Sequence, residues 1–355
     1  YHAYNTMTID PDGGMVVHYL TEMLEGQVAL LSSGFLNGKE TLELARALKN
    51  GRLFRPDQYS YILYPDKELP HFEAKNNVSA AEAKQIPLLV EMLSKKDPSL
   101  IHADCEGVCH FNPAFRNSHG IDETIEAIRK SGSYDPALVN SSERAIHVLY
   151  ERTFNHQSFT GRSGTFYAYE GLGSIYWHMV SKLLLAIQEI FIAEKDPATR
   201  KSLAAVYYDI RKGIGFNKTP AVYGAFPTDP YSHTPAGQGA KQPGMTGQVK
   251  EEVITRWGEL GLIVENGTLR VKPDLLRPEE FKADGTLSFT WCGSRFTYQK
   301  ANAGEEDSIT VKTSSGTSKR AGSELTRDES LALFARSGAV KEVQVRIHTG
   351  SALAQ

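Results

Sequence analysis

Four side chains that can bind an anion or a sugar, or transfer a proton, lie within fifteen residues of one another. They are His156, Arg162, Tyr169 and Glu170, in a segment rich in glycine and aromatic residues. Loops of this kind often hold reactive groups at the mouth of a rigid scaffold. We predict that Arg162 binds an anion, that His156 and Tyr169 contact a substrate, and that Glu170 serves as an acid, a base or a sugar acceptor. A surface loop that only covers a core helix is the alternative.

A second polar segment, residues 216–243, has almost no periodicity and carries Asp229, Tyr231 and His233. A loop of this length in a compact domain is usually functional or disordered, and its aspartate, tyrosine and histidine content argues against disorder. Asp229 is the second candidate catalytic carboxylate, since glycosidases normally use two. Tyr231 and His233 are candidate substrate ligands. The sequence does not fix the separation of Glu170 and Asp229.

A buried helix follows the first loop and must position its residues. The helix carries an apolar residue every three to four positions, as one buried stripe requires; these residues are Ile175, Met179, Leu183, Ile187 and Ile190. His178 is offset from the stripe, so it either faces a cavity or is a hydrogen-bonded core histidine. Its neighbour Trp177 is a candidate ring for substrate contact.

Thr246 and Gly247 begin another helix, directly after Pro243 and Gly244. The first N–H groups of a helix lack partners and its dipole favours negative charge, so this helix start is a candidate anion site. A plain helix cap is the alternative. The apolar stripe that we expect this helix to bury consists of Val249, Val253, Ile254 and Trp257.

The remaining pattern predicts a helical region, residues 1–261, and a β region, residues 262–355. Helical periodicity or helix end signals mark segments 23–31, 38–50, 79–94, 122–130, 140–152 and 197–212. At Leu262 the period changes to two, and Asn266-Gly267 is a strong hairpin signal. Further strands are expected at 287–291, 295–299, 308–312 and 342–348, which together suggest a small antiparallel, sandwich-like domain.

Composition excludes several functional classes. The formal net charge of -3 gives no reason to expect a nucleic-acid partner. No run of 18 apolar residues is present, so we predict no transmembrane helix and no membrane partner. The phosphate-loop, dinucleotide, nucleophile-elbow and zinc-protease motifs are missing as well. The 16 tyrosines mildly favour contact with sugars.

The cysteines and the first residue bound the remaining possibilities. Cys105 and Cys109, with His110 adjacent, do not have a usual zinc spacing and lack an evident fourth ligand, so we predict no metal. The chain opens with Tyr1, and no signal peptide follows. We therefore expect a processed form or a fragment located in the cytoplasm.

The order of these features resembles the C-terminal half of inverting glycoside phosphorylases of the cellobiose and chitobiose phosphorylase type. The resemblance covers residues 160–300 and rests on the Glu170 loop, the His178 helix, Asp229-Pro-Tyr-Ser232, Met245-Thr-Gly247 and the strand from Gly267 to Pro273. It implies an (α/α)6 toroid, of which this chain holds all or part, and a small C-terminal β domain. It also implies that His178, Thr246 and Gly247 bind phosphate and that Glu170 corresponds to a carboxylate that holds the sugar. Arg162 is a further phosphate candidate because of its residue type and not because of the resemblance.

The expected function is therefore phosphorolysis of a β-linked oligosaccharide with inversion, using inorganic phosphate as co-substrate and no other cofactor. The Gly-Asp-Trp-Asn context that carries the general acid of that family is absent from this sequence. An N-terminal remainder of the same enzyme is thus an expected partner, beside the oligosaccharide and a second copy in a homodimer. The alternatives are a glycoside hydrolase, a polysaccharide lyase with Tyr231 or His233 as base, and a non-catalytic glycan-binding segment.

Overall fold

The structure is a computed structural model that describes residues 1, 5–9, 13–19, 21–67, 70–155, 170–244, 247–302 and 304–348. The chain begins with an antiparallel hairpin and two helices, followed by two short strands. These are β1 (Asn5–Ile9), β2 (Met15–Tyr19), α1 (Leu24–Ser32), α2 (Gly38–Asn50), β3 (Phe54–Arg55) and β4 (Ser60–Tyr61). The predicted bounds of α2 are confirmed; Asn37 and Glu40 form a capping box at its start.

The next part of the chain has a hydrophobic core of its own. Its elements are α3 (Phe72–Lys75), α4 (Ala80–Ala83), α5 (Pro87–Lys95), β5 (Ile101–Ala103), β6 (Cys109–Phe111), α6 (His119–Ser131) and α7 (Pro136–Phe154). Buried residues from Val78 to Phe154 form one cluster, and we call this part the inserted body. The single helix predicted for 79–94 is broken before Pro87, because a proline favours extended backbone at the preceding residue, here Ile86.

The helical core then resumes. Its second part contains β7 (Ile175–Tyr176), α8 (Trp177–Ala193), α9 (Pro197–Lys212), α10 (Pro220–Tyr223), β8 (Tyr231–Thr234), β9 (Lys241–Pro243) and α11 (Gly247–Glu259). One hydrophobic cluster joins residues 24–62 to residues 175–240, so the inserted body interrupts a single helical core. Helix α8 lies at its centre and packs against α1, α9 and α11.

Contacts at the helix ends fix the direction of each helix. Gly247 lies against His178 at the starts of α11 and α8, and Gly258 lies against Gln188 towards their ends, so the two helices run parallel. The starts of α1 and α8 are linked through Leu63, which accepts from the N–H of Leu24 and donates its own N–H to the carbonyl of Ser174. The starts of α1, α8 and α11 therefore lie at the same end of the core.

Helices α2 and α9 run together in the direction opposite to α1, α8 and α11. Gly38 packs beside Thr199 where both helices begin, and Lys49 forms an ion pair with Asp209, 2.9 Å away, towards their ends. The turns 33–37 and 194–196 at one end of the core are short, whereas the inserted body and the segment 213–244 both enter at the other end. Long segments around shared helix starts mark the latter as the end that can build a site.

Helix α11 buries only part of the predicted apolar stripe, since Val249 and Ile254 are half-buried. Val253 and Trp257 are exposed, whereas the residues of α11 that are buried are Gln248, Glu251, Thr255 and Glu259. The periodicity was predicted correctly, but the buried face is the polar one. Partners from α8 and α9 satisfy that face: Gln188 donates to the Thr255 carbonyl, and Tyr207 donates to Glu259.

The C-terminal part contains a five-stranded sheet. Its elements are β10 (Leu262–Glu265), β11 (Thr268–Val271), β12 (Thr286–Trp291), β13 (Ser294–Lys300), β14 (Ser308–Thr313), β15 (Thr317–Ala321), α12 (Arg327–Phe334) and β16 (Val340–Ile347). The sheet order is β12-β13-β16-β14-β15, and β13 pairs with β16 in parallel. The sheet is therefore mixed, whereas the sequence predicted an antiparallel domain. The β10–β11 hairpin turns at Asn266 and Gly267, both at positive φ, as the sequence predicts. Across the described ranges, no helix has the length and apolarity needed to span a membrane.

Candidate functional site

Gly247 and His178 are in direct contact, although 68 residues separate them in the sequence. A Cβ atom added to Gly247 would lie 2.2 Å from Cε1 and 2.3 Å from Nε2 of the His178 ring. No side chain can occupy that position while the ring stays where it is. The imidazole therefore rests on the backbone that begins α11, and two of the predicted phosphate ligands meet here.

The starts of two parallel helices converge at this contact. The residue before α8, Tyr176, makes no side-chain cap with the first turn of that helix. The first N–H groups of a helix have no partner within the helix, and each helix start carries a partial positive charge. Two such starts side by side favour an anion such as phosphate more than either start does alone.

His178 has a polar neighbour at each ring nitrogen. The hydroxyl of Tyr176 lies 3.3 Å from Nδ1, and Oε1 of Glu251 lies 3.4 Å from Nε2. Burial lowers the pKa of His178 below its ordinary value, although the hydrogen bond to Glu251 acts in the opposite direction. Both separations are long for hydrogen bonds, so an incoming oxygen can replace Glu251 as the acceptor of an Nε2–H.

Glu251 is the site residue that sequence reasoning missed. It is 3% exposed and also lies 3.0 Å from Nζ of Lys250, while Lys182 and Lys250 both oppose protonation of His178. The two lysines offset the carboxylate charge near the candidate anion site. Helical spacing could have identified Glu251, since it follows Gly247 by four residues and so lies on the same face of α11.

The β7–β8–β9 sheet forms the wall beside this contact. Tyr176 of β7 pairs with His233 of β8, and their rings stack with centroids 4.7 Å apart and planes 9° apart. The His233 ring is buried, and its Nδ1 lies 2.7 Å from Oγ of Ser232. Tyr231, half-buried at the start of β8, packs edge-on against Tyr223. His233 thus supports Tyr176, which in turn contacts His178.

Burial lowers the pKa of His233 to about 4 from an ordinary value of 6.5. Between these values the unfolded chain binds the proton and the folded chain does not, so stability is present above pH 6.5 and is lost as the pH falls towards 4. We expect this residue to remove up to about 3 kcal/mol from the free energy of unfolding over that interval. His233→Phe keeps a ring against Tyr176 but cannot titrate. Urea unfolding at pH 7 and pH 4.5 should therefore show a smaller acid loss in the variant, and an equal loss would contradict the assignment.

Trp177 has a different role from the one predicted. Its side chain is completely buried, its Nε1–H donates to Oγ1 of Thr234 at 2.9 Å, and its ring packs edge-on against Tyr223. With no exposed ring face it cannot stack on a sugar in this structure. Trp177 instead joins the start of α8 to the end of β8.

The two candidate catalytic carboxylates lie in different surroundings. Glu170 is half-buried and close enough to Tyr64 to contribute, with Glu25, to raising the pKa of that phenol, after burial. Its Oε2 is buried and has no hydrogen-bond partner within the part of the chain that the structure describes. Asp229 is exposed in the turn before β8. No contact among the described residues joins Asp229 to Glu170.

Four of the predicted ligands, His156, Arg162, Tyr169 and Thr246, lie outside the described residues. The backbone that leads from Glu170 to α8 is nevertheless anchored. Arg55 donates from Nη1 to the carbonyls of Gly173 and Thr234, at 2.9 and 2.8 Å, and pairs with Asp57 through its other nitrogens. One buried guanidinium therefore holds together the two loops that flank the site.

The opposite end of the core also contains a cleft, lined in part by Glu194, Lys195 and Arg200. Arg200 is already engaged there, because it donates to the Phe191 and Glu194 carbonyls and pairs with Asp274. Because Arg200 already has these partners, it is less available to bind an anion than the N–H groups at the two helix starts. The His178 end remains the better candidate.

Comparison with known families gives a match within the inserted body. Residues 69–157 match the family described as GH149 phosphorylase insertion domain 2. This match relates the chain to glycoside phosphorylases. The matched range covers about a quarter of the chain and encloses the whole hydrophobic cluster of the inserted body. No curated protein matches the chain.

Proposed function

We propose that this chain carries the phosphate-binding part of a glycoside phosphorylase that cleaves a β-linked oligosaccharide with inversion. The convergence of two helix starts on His178 and Gly247 is the observation that carries the proposal. The family match of the inserted body supports the same class of enzyme from an independent part of the chain.

The proposed chemistry assigns each group a task. Phosphate oxygens accept hydrogen bonds from backbone N–H groups at the start of α11, including the N–H of Gly247. They also accept a hydrogen bond from the Nε2–H of His178. Thr246, by resemblance, and Arg162, by its residue type, complete the proposed phosphate ligands. The bound phosphate attacks the anomeric carbon from the face opposite the leaving oxygen, which a general acid protonates. Glu170, whose Oε2 has no hydrogen-bond partner among the described residues, is proposed to hold the sugar, and Asp229 remains the second candidate carboxylate.

The helical core fits this proposal as part of an (α/α)6 toroid of the cellobiose and chitobiose phosphorylase type. Helices α1, α8 and α11 would be inner helices of such a ring, and α2 and α9 outer ones, since the two groups run in opposite directions. A hydrolase on the same scaffold would hold water where phosphate is proposed. The tests below separate the two.

Phosphate should stabilise the folded chain. A ligand that binds only the folded state raises the free energy of unfolding, and the increase grows with the ratio of the ligand concentration to the dissociation constant. We expect a saturable rise in melting temperature with millimolar phosphate, a smaller rise with sulfate at equal ionic strength, and loss of the phosphate-specific rise in His178→Ala. His71→Ala, at an exposed histidine whose side chain makes no helix cap, is the matched control. An unchanged phosphate effect in His178→Ala would contradict the site.

Activity distinguishes the reaction. A panel of β-linked disaccharides incubated with phosphate and the enzyme of which this chain is a part should yield an α-glycosyl phosphate, which phosphorus NMR detects directly. Free sugar released at the same rate with and without phosphate would instead identify a hydrolase. Phosphate binding by the chain alone without turnover would support the phosphate site and show that the chain is not a complete enzyme.

A further inference from the structure

Two histidines and two carboxylates face one another on the surface of the inserted body. Helix α6 carries His119 and Asp122, and helix α7 carries Glu143 and His147. Spacings of three and four residues place each pair on one side of its helix. Ligand atoms of Asp122, Glu143 and His147 all lie within 4.8 Å of one another. This cluster has no part in the proposed phosphate site.

We propose that Asp122, Glu143 and His147 bind a divalent transition-metal ion of the zinc class. Nε2 of His147 lies 2.9 Å from Oδ1 of Asp122, and Nδ1 of His119 lies 3.7 Å from Oδ2 of the same carboxylate. Zinc bonds to nitrogen and oxygen measure about 2.0–2.2 Å, which places tetrahedral ligand atoms about 3.4 Å apart. The separation of His147 from Asp122 is already close to that spacing, and a water molecule can occupy the fourth tetrahedral position.

The donor set selects the metal. Imidazole nitrogen combined with carboxylate oxygen suits zinc and its neighbours, whereas magnesium and calcium prefer oxygen alone. Ligands projecting from two packed helices also form the pattern by which helical bundles build metal sites. The helices are fixed beneath the site, because Ile121 and Ile125 of α6 and Ile146 of α7 are fully buried in the core of the inserted body.

Existing ion pairs compete with the metal without blocking it. Nη2 of Arg129 lies 2.6 Å from Oε2 of Glu143 and also donates to Asn140. That contact uses one oxygen of Glu143 and leaves Oε1 for a metal. The His147–Asp122 pair already aligns two ligands, so binding replaces one partially exposed contact. A bound ion would link α6 to α7 and stabilise the inserted body.

The test uses the full, untagged chain, freed of metal with a chelator. We expect zinc to bind with a stoichiometry of one by calorimetry and to raise the melting temperature, and magnesium at the same concentration to do neither. His147→Ala and Asp122→Asn should each weaken zinc binding at least tenfold. The control is His110→Ala, which removes a histidine paired with Asp104 at 3.2 Å on the same body and should leave binding unchanged.

Circular dichroism of the metal-free variants establishes that they fold before they are titrated. Absence of saturable zinc binding to the wild-type chain would overturn the proposal. Zinc binding of unchanged affinity in both His147→Ala and Asp122→Asn would overturn it equally, since the ion would then lie elsewhere. Neither outcome bears on phosphate binding, which the His178 and Gly247 variants test separately.

Discussion

Gly247→Ala is expected to weaken phosphate binding at least tenfold while the chain remains folded. The added methyl group would lie 2.2 Å from Cε1 of His178, so the ring must leave the start of α11. The substitution thereby displaces the His178 ring, which is one proposed phosphate ligand. It also fills the space beside the backbone N–H of residue 247, which is another. Calorimetric titration with phosphate measures the dissociation constant, and the melting temperature without ligand reports folding.

The same helix supplies the control for this experiment. A methyl group at Gly258 would lie 2.1 Å from Oε1 of Gln188, so Gly258→Ala disturbs the packing of α11 on α8 to a similar degree. Gly258 lies at the far end of the helix, away from the shared helix starts. Equal phosphate affinities in the two variants would mean that Gly247 only contributes to packing.

Glu259→Ala is expected to lower the free energy of unfolding by about 3–5 kcal/mol, because it leaves the mostly buried Arg211 without its carboxylate partner and the buried Tyr207 hydroxyl without its acceptor. Glu259 is 1% exposed and accepts from the Tyr207 hydroxyl at 2.7 Å. Its carboxylate also lies 2.6 Å from Nε of Arg211 and 2.7 Å from Nη1 of Arg256. Urea unfolding followed by circular dichroism measures the change.

An exposed glutamate gives the comparison. Glu126 pairs with Arg129 at 3.6 Å and with Lys130 at 3.5 Å on the surface of α6. Pairs of this kind contribute about 0–1 kcal/mol, so Glu126→Ala should change the free energy of unfolding little. Similar losses of unfolding free energy in the two variants would show that burial does not determine how much Glu259 contributes to stability.

Local signals in the sequence predicted most helix positions. The bounds of α2 and α9 match the structure at both ends, because the cap residues and terminal glycines mark them. The Asn266-Gly267 hairpin was predicted for a similar reason, since only certain residues adopt its backbone angles. Helix α12 was missed even though Thr326 and Glu329 form a capping box at its start.

Packing partners were harder to predict than helices. The buried side of α11 was predicted to be apolar, yet Glu259 is buried there, because Tyr207 and Arg211 of α9 satisfy it. Periodicity reports which residues share a face but not which face meets a charged partner. The parallel pairing of β13 with β16 was missed for a related reason: alternation does not encode strand direction.

The candidate site was predictable only in part. His178, Thr246 and Gly247 were grouped through a family resemblance, and the contact of Gly247 with His178 depends on the parallel packing of two helices that the sequence does not specify. The same limit applies to the separate core of the inserted body. Its longer helices were predicted individually. Their periodicity does not show that they pack against one another and form a core separate from that of the flanking helices.

The inserted body leaves and re-enters the helical core at adjacent points. The N–H of Leu63 donates to the carbonyl of Ser174 at 3.2 Å, which joins the two sides of the insertion directly. The free-energy cost of closing a flexible loop grows by only about 0.6 kcal/mol for each doubling of its length. The helical core is therefore nearly indifferent to how much chain lies between these two residues. We therefore expect this position to tolerate insertion or removal of a whole domain while the helices that meet at His178 keep their arrangement.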